Sequence, residues 1–396
     1  MLNPRLDQLG AYAFRRLAAL LDGSAAPADL RPIDLSIGEP RHAVPALVAE
    51  TIAAHAAAWN RYPPVNGTSA FREAVASWLG RRYDPASVLD PDRHILPVAG
   101  TKEALYLLAQ AVVPERKGGG RPAVLVPNPF YNVYFGAALM AGAEPVFLPA
   151  TAETGFLPDL DALDGDLLGR TAALYLCSPA NPQGVAADET YWRRALELAR
   201  AHDFVLVADE CYSEIWDRAP PAGALAAAAA SDCGFGNLIA MHSLSKRSCA
   251  AGLRSGFVAG DPALIAAFAR LRSFAAAVQP LPVMAAATAL WGDEAHVEAN
   301  RTLYRAKFDT AERLFAGRLG FYRPDGGFFL WLDVGDGEAA ALRSWREAGV
   351  KTLPGAYLGR PQADGANPGA GYLRLALVDP PDLVEDALER VARVLA

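Results

Sequence analysis

Leu238-Ile-Ala-Met-His-Ser-Leu-Ser-Lys-Arg247, followed after four residues by Gly252-Leu-Arg-Ser-Gly-Phe257, decides the fold. Its opening, Leu238–Met241, is a short apolar run of the kind a buried strand uses. Ser243, Ser245 and Lys246 come directly behind it, and Arg254 follows Lys246 by eight residues. A second short run, Gly256–Ala259, then begins. Two hydroxyls, a lysine and an arginine thus gather at a strand end, among glycines that let the backbone approach a ligand. This set suits a phosphate-bearing aldehyde cofactor. Lys246 would form the imine, and Ser243, Ser245 and Arg254 would hold the phosphate, because a planar guanidinium makes paired, charge-assisted bonds to phosphate oxygens. The bland alternative is a solvated Lys/Arg loop.

Outward from this stretch, short β-branched runs alternate with longer helical patterns. Ala123–Val126, Pro145–Leu148, Ala173–Cys177 and Val205–Ala208 read as further strands, and Glu103–Val113, Val133–Ala141 and Thr190–Ala201 as helices between them. Strands that are continuously apolar are buried on both faces, as in a mainly parallel sheet. The expected class is α/β with a doubly wound sheet. Beyond about Pro280 the character changes. A long helical stretch (Val283–Phe315) leads to Gly327-Phe-Phe-Leu-Trp-Leu332 and then to Tyr372-Leu-Arg-Leu-Ala-Leu377, which reads as a smaller α+β domain. The expected division is an arm and part of the small domain over 1–40, a large domain over 41–280 and a small domain over 281–396. Gly118–Gly120 and Gly359–Gly371 read as loops.

The bulk numbers exclude several classes. With 37 Lys plus Arg against 44 Asp plus Glu, the net charge of −7 gives no reason to expect nucleic acid or an anionic membrane as partner. The first 23 residues mix Arg and Asp among apolar residues, an amphipathic helix and not a signal peptide. Alanine runs such as Ala226–Ala230 fall short of the roughly 18 apolar residues of a membrane span. Cys177, Cys211, Cys233 and Cys249 show no paired spacing, as in a reducing compartment. A soluble cytoplasmic small-molecule enzyme is therefore expected. His42, His55, His94, His202, His242 and His296 have no metal spacing and are read as structural, with His42 a candidate contact at a substrate lid.

Other stretches repeat the theme of polar residues at strand ends. Asp209-Glu-Cys-Tyr212 closes a strand, where an aspartate also serves as an ordinary helix N-cap. Ser178-Pro-Ala-Asn-Pro-Gln-Gly184 follows another strand and taken alone is an Asn-Pro turn. Ala99-Gly-Thr-Lys-Glu-Ala104 opens a helix after a strand-like segment, and unsatisfied amides at such a start bind phosphate. Pro127-Asn-Pro-Phe-Tyr-Asn-Val-Tyr134 supplies either ring-stacking or core aromatics.

Together these stretches resemble the fold-type I, class I/II aminotransferases, from about Asp34 to Ala376. The resemblance implies a large domain with a mainly parallel seven-stranded sheet between helices, a small α+β domain and pyridoxal 5'-phosphate bound to Lys246. It implies that Asp209 pairs with the pyridine nitrogen and that Tyr212 and Asn181 bond the phenolate oxygen. Gly100, Thr101 and Lys102 would serve the phosphate, and Tyr131 would stack on the ring. Gln183 departs from the family's threonine in its Asn-Pro-Thr-Gly turn. Leu35-Ser-Ile-Gly-Glu-Pro40 resembles the substrate-lid segment, with Gly38 close to the substrate. Tyr62-Pro-Pro-Val-Asn-Gly67 resembles the segment whose tyrosine reaches the partner's phosphate in a homodimer. Tyr372-Leu-Arg-Leu-Ala376 resembles the strand whose arginine, here Arg374, grips the substrate α-carboxylate; without that context it is a surface strand arginine. The implied substrates are an amino acid and a 2-oxo acid.

Within the family, Asn3-Pro-Arg-Leu-Asp7, Leu35–His42, Pro127–Tyr131, Ser243–Arg247 and Arg254–Asp261 are similar to the N-succinyldiaminopimelate aminotransferases of lysine biosynthesis. That similarity implies glutamate and 2-oxoglutarate as the exchanging pair. Lys102, Arg41 and Arg247 are the candidates to meet a distal carboxylate. Aminotransferases of aspartate, alanine or aromatic substrates, and a carbon–sulfur β-lyase, share the same lysine and remain the alternatives.

Overall fold

The computed structural model describes residues 2–84 and 89–396. Strands are numbered along the chain: β1 (Ile33–Asp34), β2 (Ile95–Val98), β3 (Ala123–Asn128), β4 (Glu144–Pro149), β5 (Thr171–Cys177), β6 (Val205–Asp209), β7 (Leu238–Ser243), β8 (Gly256–Gly260), β9 (Phe329–Asp333), β10 (Val350–Lys351), β11 (Leu353–Pro354) and β12 (Tyr372–Ala376). The apolar runs build one seven-stranded sheet, ordered β2-β8-β7-β6-β5-β3-β4. Pairing is parallel from β7 through β6, β5 and β3 to β4, and β8 alone runs against its neighbours β7 and β2. The class expected from sequence, α/β with a mainly parallel seven-stranded sheet and helices around it, is the class found.

Side chains alternate along each strand, and here both alternating sets are buried. Val205 and Val207 enter one apolar cluster while Leu206 and Ala208 enter the other. Ile239 and Met241 divide from Leu238 and Ala240 in the same way. This is the period-2 geometry of a strand covered on both faces. Strand β8 includes Gly260, where a Cβ would lie 2.0 Å from the Leu238 carbonyl oxygen, so any side chain there would push the β7–β8 ladder apart.

The helical stretch read over Val283–Phe315 is two helices, Leu281–Gly292 and Ala295–Phe315. Asp293 ends the first and its carboxylate accepts from the amides of Ala295 and His296, capping the second. The first helix packs on Ala46–Ala54 and Ser69–Tyr83, and its Trp291 lies 4.8 Å from Trp78, ring centre to ring centre. On packing, this helix goes with the large sheet, and we propose that the small domain begins at Asp293 and not at residue 281. In the small domain β12 pairs antiparallel with β11 and β9, and β1 comes back from the N-terminal end to pair with β10. The N-terminal stretch read as one amphipathic helix is a 3-10 turn over Pro4–Leu9 and an α-helix over Ala13–Leu21. No described helix is long and apolar enough to cross a membrane.

Candidate active site

A cavity of about 1000 Å³ opens above the ends of β5, β6 and β7 and is closed by β9, β12 and the N-terminal arm. Ligands of doubly wound sheets bind at the carboxyl ends of such strands, where polar residues end apolar runs. Asn181, Asp209, Tyr212, Ser243, Ser245, Lys246, Arg254, Thr101, Lys102, Tyr131, Gly38 and Arg374 all line it, so residues far apart in sequence meet there. Gly100 caps the helix Thr101–Val112 beside it.

Lys246 leaves the short helix Leu244–Arg247 at the end of β7, and its Nζ donates to the Gly38 carbonyl oxygen at 2.7 Å. Burial lowers the lysine to about 8, because an ammonium loses its hydration there. Gly38 has no room for a side chain: a Cβ would lie 2.6 Å from the Phe329 ring.

Asp209 ends β6 and is 4% exposed. Its Oδ2 accepts from the Tyr134 hydroxyl at 2.6 Å and its Oδ1 from the Cys211 amide at 3.3 Å. Burial raises it, and the hydrogen bonds from Cys211 and Tyr134 oppose the rise. Among the described residues no lysine, arginine or histidine nitrogen comes within ion-pair distance of it. A buried carboxylate held this way calls for a cationic partner, and a protonated ring nitrogen is one. In the sequence Tyr134 is only one of two aromatics. Its hydroxyl is fully buried against Asp209, an orienting contact that no motif announces. Tyr131, set edge-on to Tyr134 at 5.8 Å, borders the cavity beside it.

Arg254 adopts a left-handed backbone (φ 53°) and lays its guanidinium over Gly100, where a Cβ would come within 2.3 Å of Nη2. The glycine thus makes room for the arginine directly at the start of the Thr101 helix, whose free amides and dipole favour an anion. Thr101 Oγ1 lies 3.0 Å from Cys211 Sγ. Ser243 caps the lysine helix, accepting from the Ser245 amide. This donor set fits a phosphate, the Lys246 amine fits an aldehyde, and Asp209 fits a ring cation, so the residues present match pyridoxal phosphate.

Arg374 on β12 is 5% exposed and lies on the Phe329 ring at 4.4 Å. Nη1 donates to Asn181 Oδ1 at 3.1 Å and Nη2 to the Ser36 carbonyl at 2.7 Å. Its buried Nε has no partner among the described residues. Asn181 in turn donates to the Tyr212 hydroxyl at 3.5 Å. The buried arginine therefore keeps donor capacity for a carboxylate.

Four candidates lie elsewhere. Arg247 is 1% exposed, bonded to Glu294 and the Leu290 carbonyl and stacked near Trp291, turned away from the cavity. Arg41 pairs with Asp379 at 2.6 Å. His42 is not at the cavity: its Nδ1 donates to Asn300 Oδ1 at 2.7 Å, which leaves Nε2 to accept from Lys307 at 2.6 Å. Lys307, pushed down to about 7 by burial, also donates to the Leu377 carbonyl. Asn300 Nδ2 reaches the Lys246 and Arg247 carbonyls at 3.4 Å, so this polar chain ends on the backbone of the lysine loop. Tyr62 lies outside the cavity and is fully exposed. Residues the motifs missed are Arg16 and Tyr12 of the N-terminal arm and Tyr357 and Arg360 of the loop after β11.

Residues 31–391 match the family described as aminotransferase class I and II. The LL-diaminopimelate aminotransferase of Moorella thermoacetica is 33% identical, over 99% of this chain and 97% of its own. The 4-dedimethylamino-4-oxo-anhydrotetracycline transaminase OxyQ of Streptomyces rimosus is 34% identical, over 91% of this chain and 92% of its own. Among solved structures, an aminotransferase from Neisseria meningitidis superposes with a TM-score of 0.95 at 38% identity, covering 100% of both chains.

Proposed function

The chain belongs to the class I and II aminotransferases, enzymes that depend on pyridoxal phosphate, and from that membership we propose that it moves the amino group of a diaminopimelate-type donor to 2-oxoglutarate, yielding glutamate. The observation that carries the reading is the convergence of Lys246, Asp209 and Arg374 on one cavity whose lining is strongly cationic. When bound, pyridoxal phosphate supplies an aldehyde that takes up the amino group and a ring that draws electrons from the substrate Cα.

The chain's own residues divide the remaining work. Arg374 grips the α-carboxylate, and that grip fixes the direction of the Cα–H bond. Lys246 Nζ, already easily deprotonated, would take the proton from Cα and deliver it to the carbon that carried the cofactor's aldehyde. Asp209, steadied by Tyr134, holds a proton at the ring nitrogen. Arg254, Ser243, Ser245 and the amides from Gly100 to Lys102 would hold the phosphate. Tyr131 would flank the ring, while Asn181 and Tyr212 would meet its phenolate oxygen. Tyr62, fully exposed here, completes the partner's site in a homodimer.

Among diaminopimelate donors, the Moorella thermoacetica relative carries the name of the unacylated acid. The lining of this cavity supports the N-succinylated acid, since six cationic residues (Arg16, Lys102, Lys246, Arg254, Arg360, Arg374) stand against two carboxylates, Glu39 and Asp209. A free distal ammonium would enter a site short of counter-charge. The test is a panel of donors with 2-oxoglutarate: N-succinyl-LL-diaminopimelate, LL-diaminopimelate, aspartate, alanine and phenylalanine. The succinylated acid should lead in kcat/KM by more than about tenfold, the selectivity that one well-made polar contact supplies. A lead for LL-diaminopimelate would replace the narrower substrate, and elimination without glutamate formation would replace the transferase reading with a β-lyase.

A further inference from the structure

Arg254 and Arg374 have work in the cavity, but Arg16 and Arg360 do not. We propose that Arg16 and Arg360 form a distal subsite for a carboxylate at the far end of the amino donor, a refinement that rests on the aminotransferase reading above.

Arg16 stands one helical turn beyond Tyr12, the N-cap of the Ala13–Leu21 helix, and residues four apart share a helix face. Both line the cavity, and Tyr12 is close enough to influence the charge on Arg374. Arg16 therefore lies about one turn, roughly 5–6 Å, along the helix from Tyr12. Its guanidinium is stacked 3.9 Å above the Tyr357 ring. Arg360, three residues past Tyr357, stacks 4.8 Å from Phe135 and donates Nη2 to the Leu9 carbonyl. Aromatic stacking and a backbone anchor hold both forks in place, which limits the entropy lost when a carboxylate binds.

The two charges are poorly compensated. Arg16 has Glu338 at 3.8 Å, but both side chains are well exposed and the pair is screened. Arg360 has no carboxylate within 4 Å among the described residues, and besides burial it is Arg16 that pulls its pKa down. Two guanidiniums held on one wall without a shared acid repel each other until an anion comes between them. The ligand class follows: an amino acid whose side chain ends in a carboxylate and carries no free amine near it. A distal ammonium would add a third cation to the pair.

Binding to the holoenzyme tests this without turnover. Calorimetry compares pimelate, with a carboxylate at each end, and heptanoate, which lacks the second. Arg16→Gln and Arg360→Gln should each weaken pimelate about tenfold and change heptanoate less than twofold, and the double variant should bind the two acids alike. Arg360→Lys, which keeps the charge, should recover part of the pimelate affinity and guards against a loss that is only structural. Equal weakening of both acids in the glutamine variants, or no weakening of either, would overturn the subsite. Turnover separates this from the broader reading: if the wild type transfers no amino group from any donor, the aminotransferase reading fails. If alanine reacts normally in wild type and variants while pimelate binding is unchanged, the subsite alone fails.

Discussion

Lys246 must shed a proton before it can attack an aldehyde or take a proton from carbon, and burial at the end of β7 arranges this near neutral pH. In cofactor-free protein, the rate at which Lys246 captures an added aldehyde should climb with pH with a midpoint near 8, where an ordinary lysine has its midpoint at about 10.4. Peptide mapping after borohydride reduction reads the midpoint, and a midpoint above about 9.5 would remove the burial argument. At Asp209 the carboxylate itself and its orientation are separable. Asp209→Ala should retain cofactor and lose several factors of ten in kcat, each worth about 1.4 kcal/mol of barrier. Tyr134→Phe, which deletes only the 2.6 Å hydrogen bond, should cost about tenfold. Steady-state kinetics at saturating cofactor distinguishes them, and a tyrosine variant as slow as the alanine variant would mean that orientation and not charge is the main contribution. Sequence pointed to Asp209 and Lys246 because each closes an apolar run. It was silent on Tyr134 because a buried hydroxyl and a buried ring leave the same mark in a helical pattern.

Elements were legible to the extent that their burial was uniform. The strands β3 and β5 to β8 announced themselves because both faces of the sheet are covered, so each reads as a buried run, while half-buried β4 at the sheet edge was legible from its apolar Pro145–Leu148. The break at Asp293 was hidden because Trp291 and Val297 keep the apolar pattern going on either side of a cap. The helix Ala295–Phe315 also conceals Lys307, 1% exposed, in a sequence position that reads as solvated charge. Lys307 has a folded pKa of about 7, below the roughly 10.4 of an unfolded lysine. Below pH 7 it is charged in both states and the cost of burial is fully present. Between about 7 and 10.4 the unfolded chain binds more protons, so this residue's contribution becomes more favourable as pH rises. His42, Asp379, Cys249 and Tyr304 are the titratable groups around it. Urea-unfolding free energies of wild type and Lys307→Met over pH 6.5–10 should therefore diverge in favour of the wild type toward alkaline pH, by on the order of a few kcal/mol. A constant difference would show that Lys307 stays charged.

At the scale of the molecule, the exposed Tyr62, Trp59 and Phe274 suit a surface that a second copy covers. If Tyr62 serves the partner's site, mixing inactive Lys246→Ala with a Tyr62 variant of low activity should restore activity, because one of the two sites in a mixed dimer then carries neither change. Proven subunit exchange with no recovery would count against a shared site. The cationic wall was the least legible part of the chain. Arg16 and Arg360 lie at opposite ends of the sequence, and only the folded chain brings Arg360 to Leu9, 351 residues away. The same closure sets an order of events during synthesis. Asp209, Lys246 and Arg254 leave the ribosome well before Arg374, and β1 waits for β10 to emerge before it can pair. At translation speeds the stretch from Arg254 to Arg374 takes on the order of ten seconds. A nascent chain thus has its cofactor-facing half made first and gains the means to hold a substrate only once β12 has emerged.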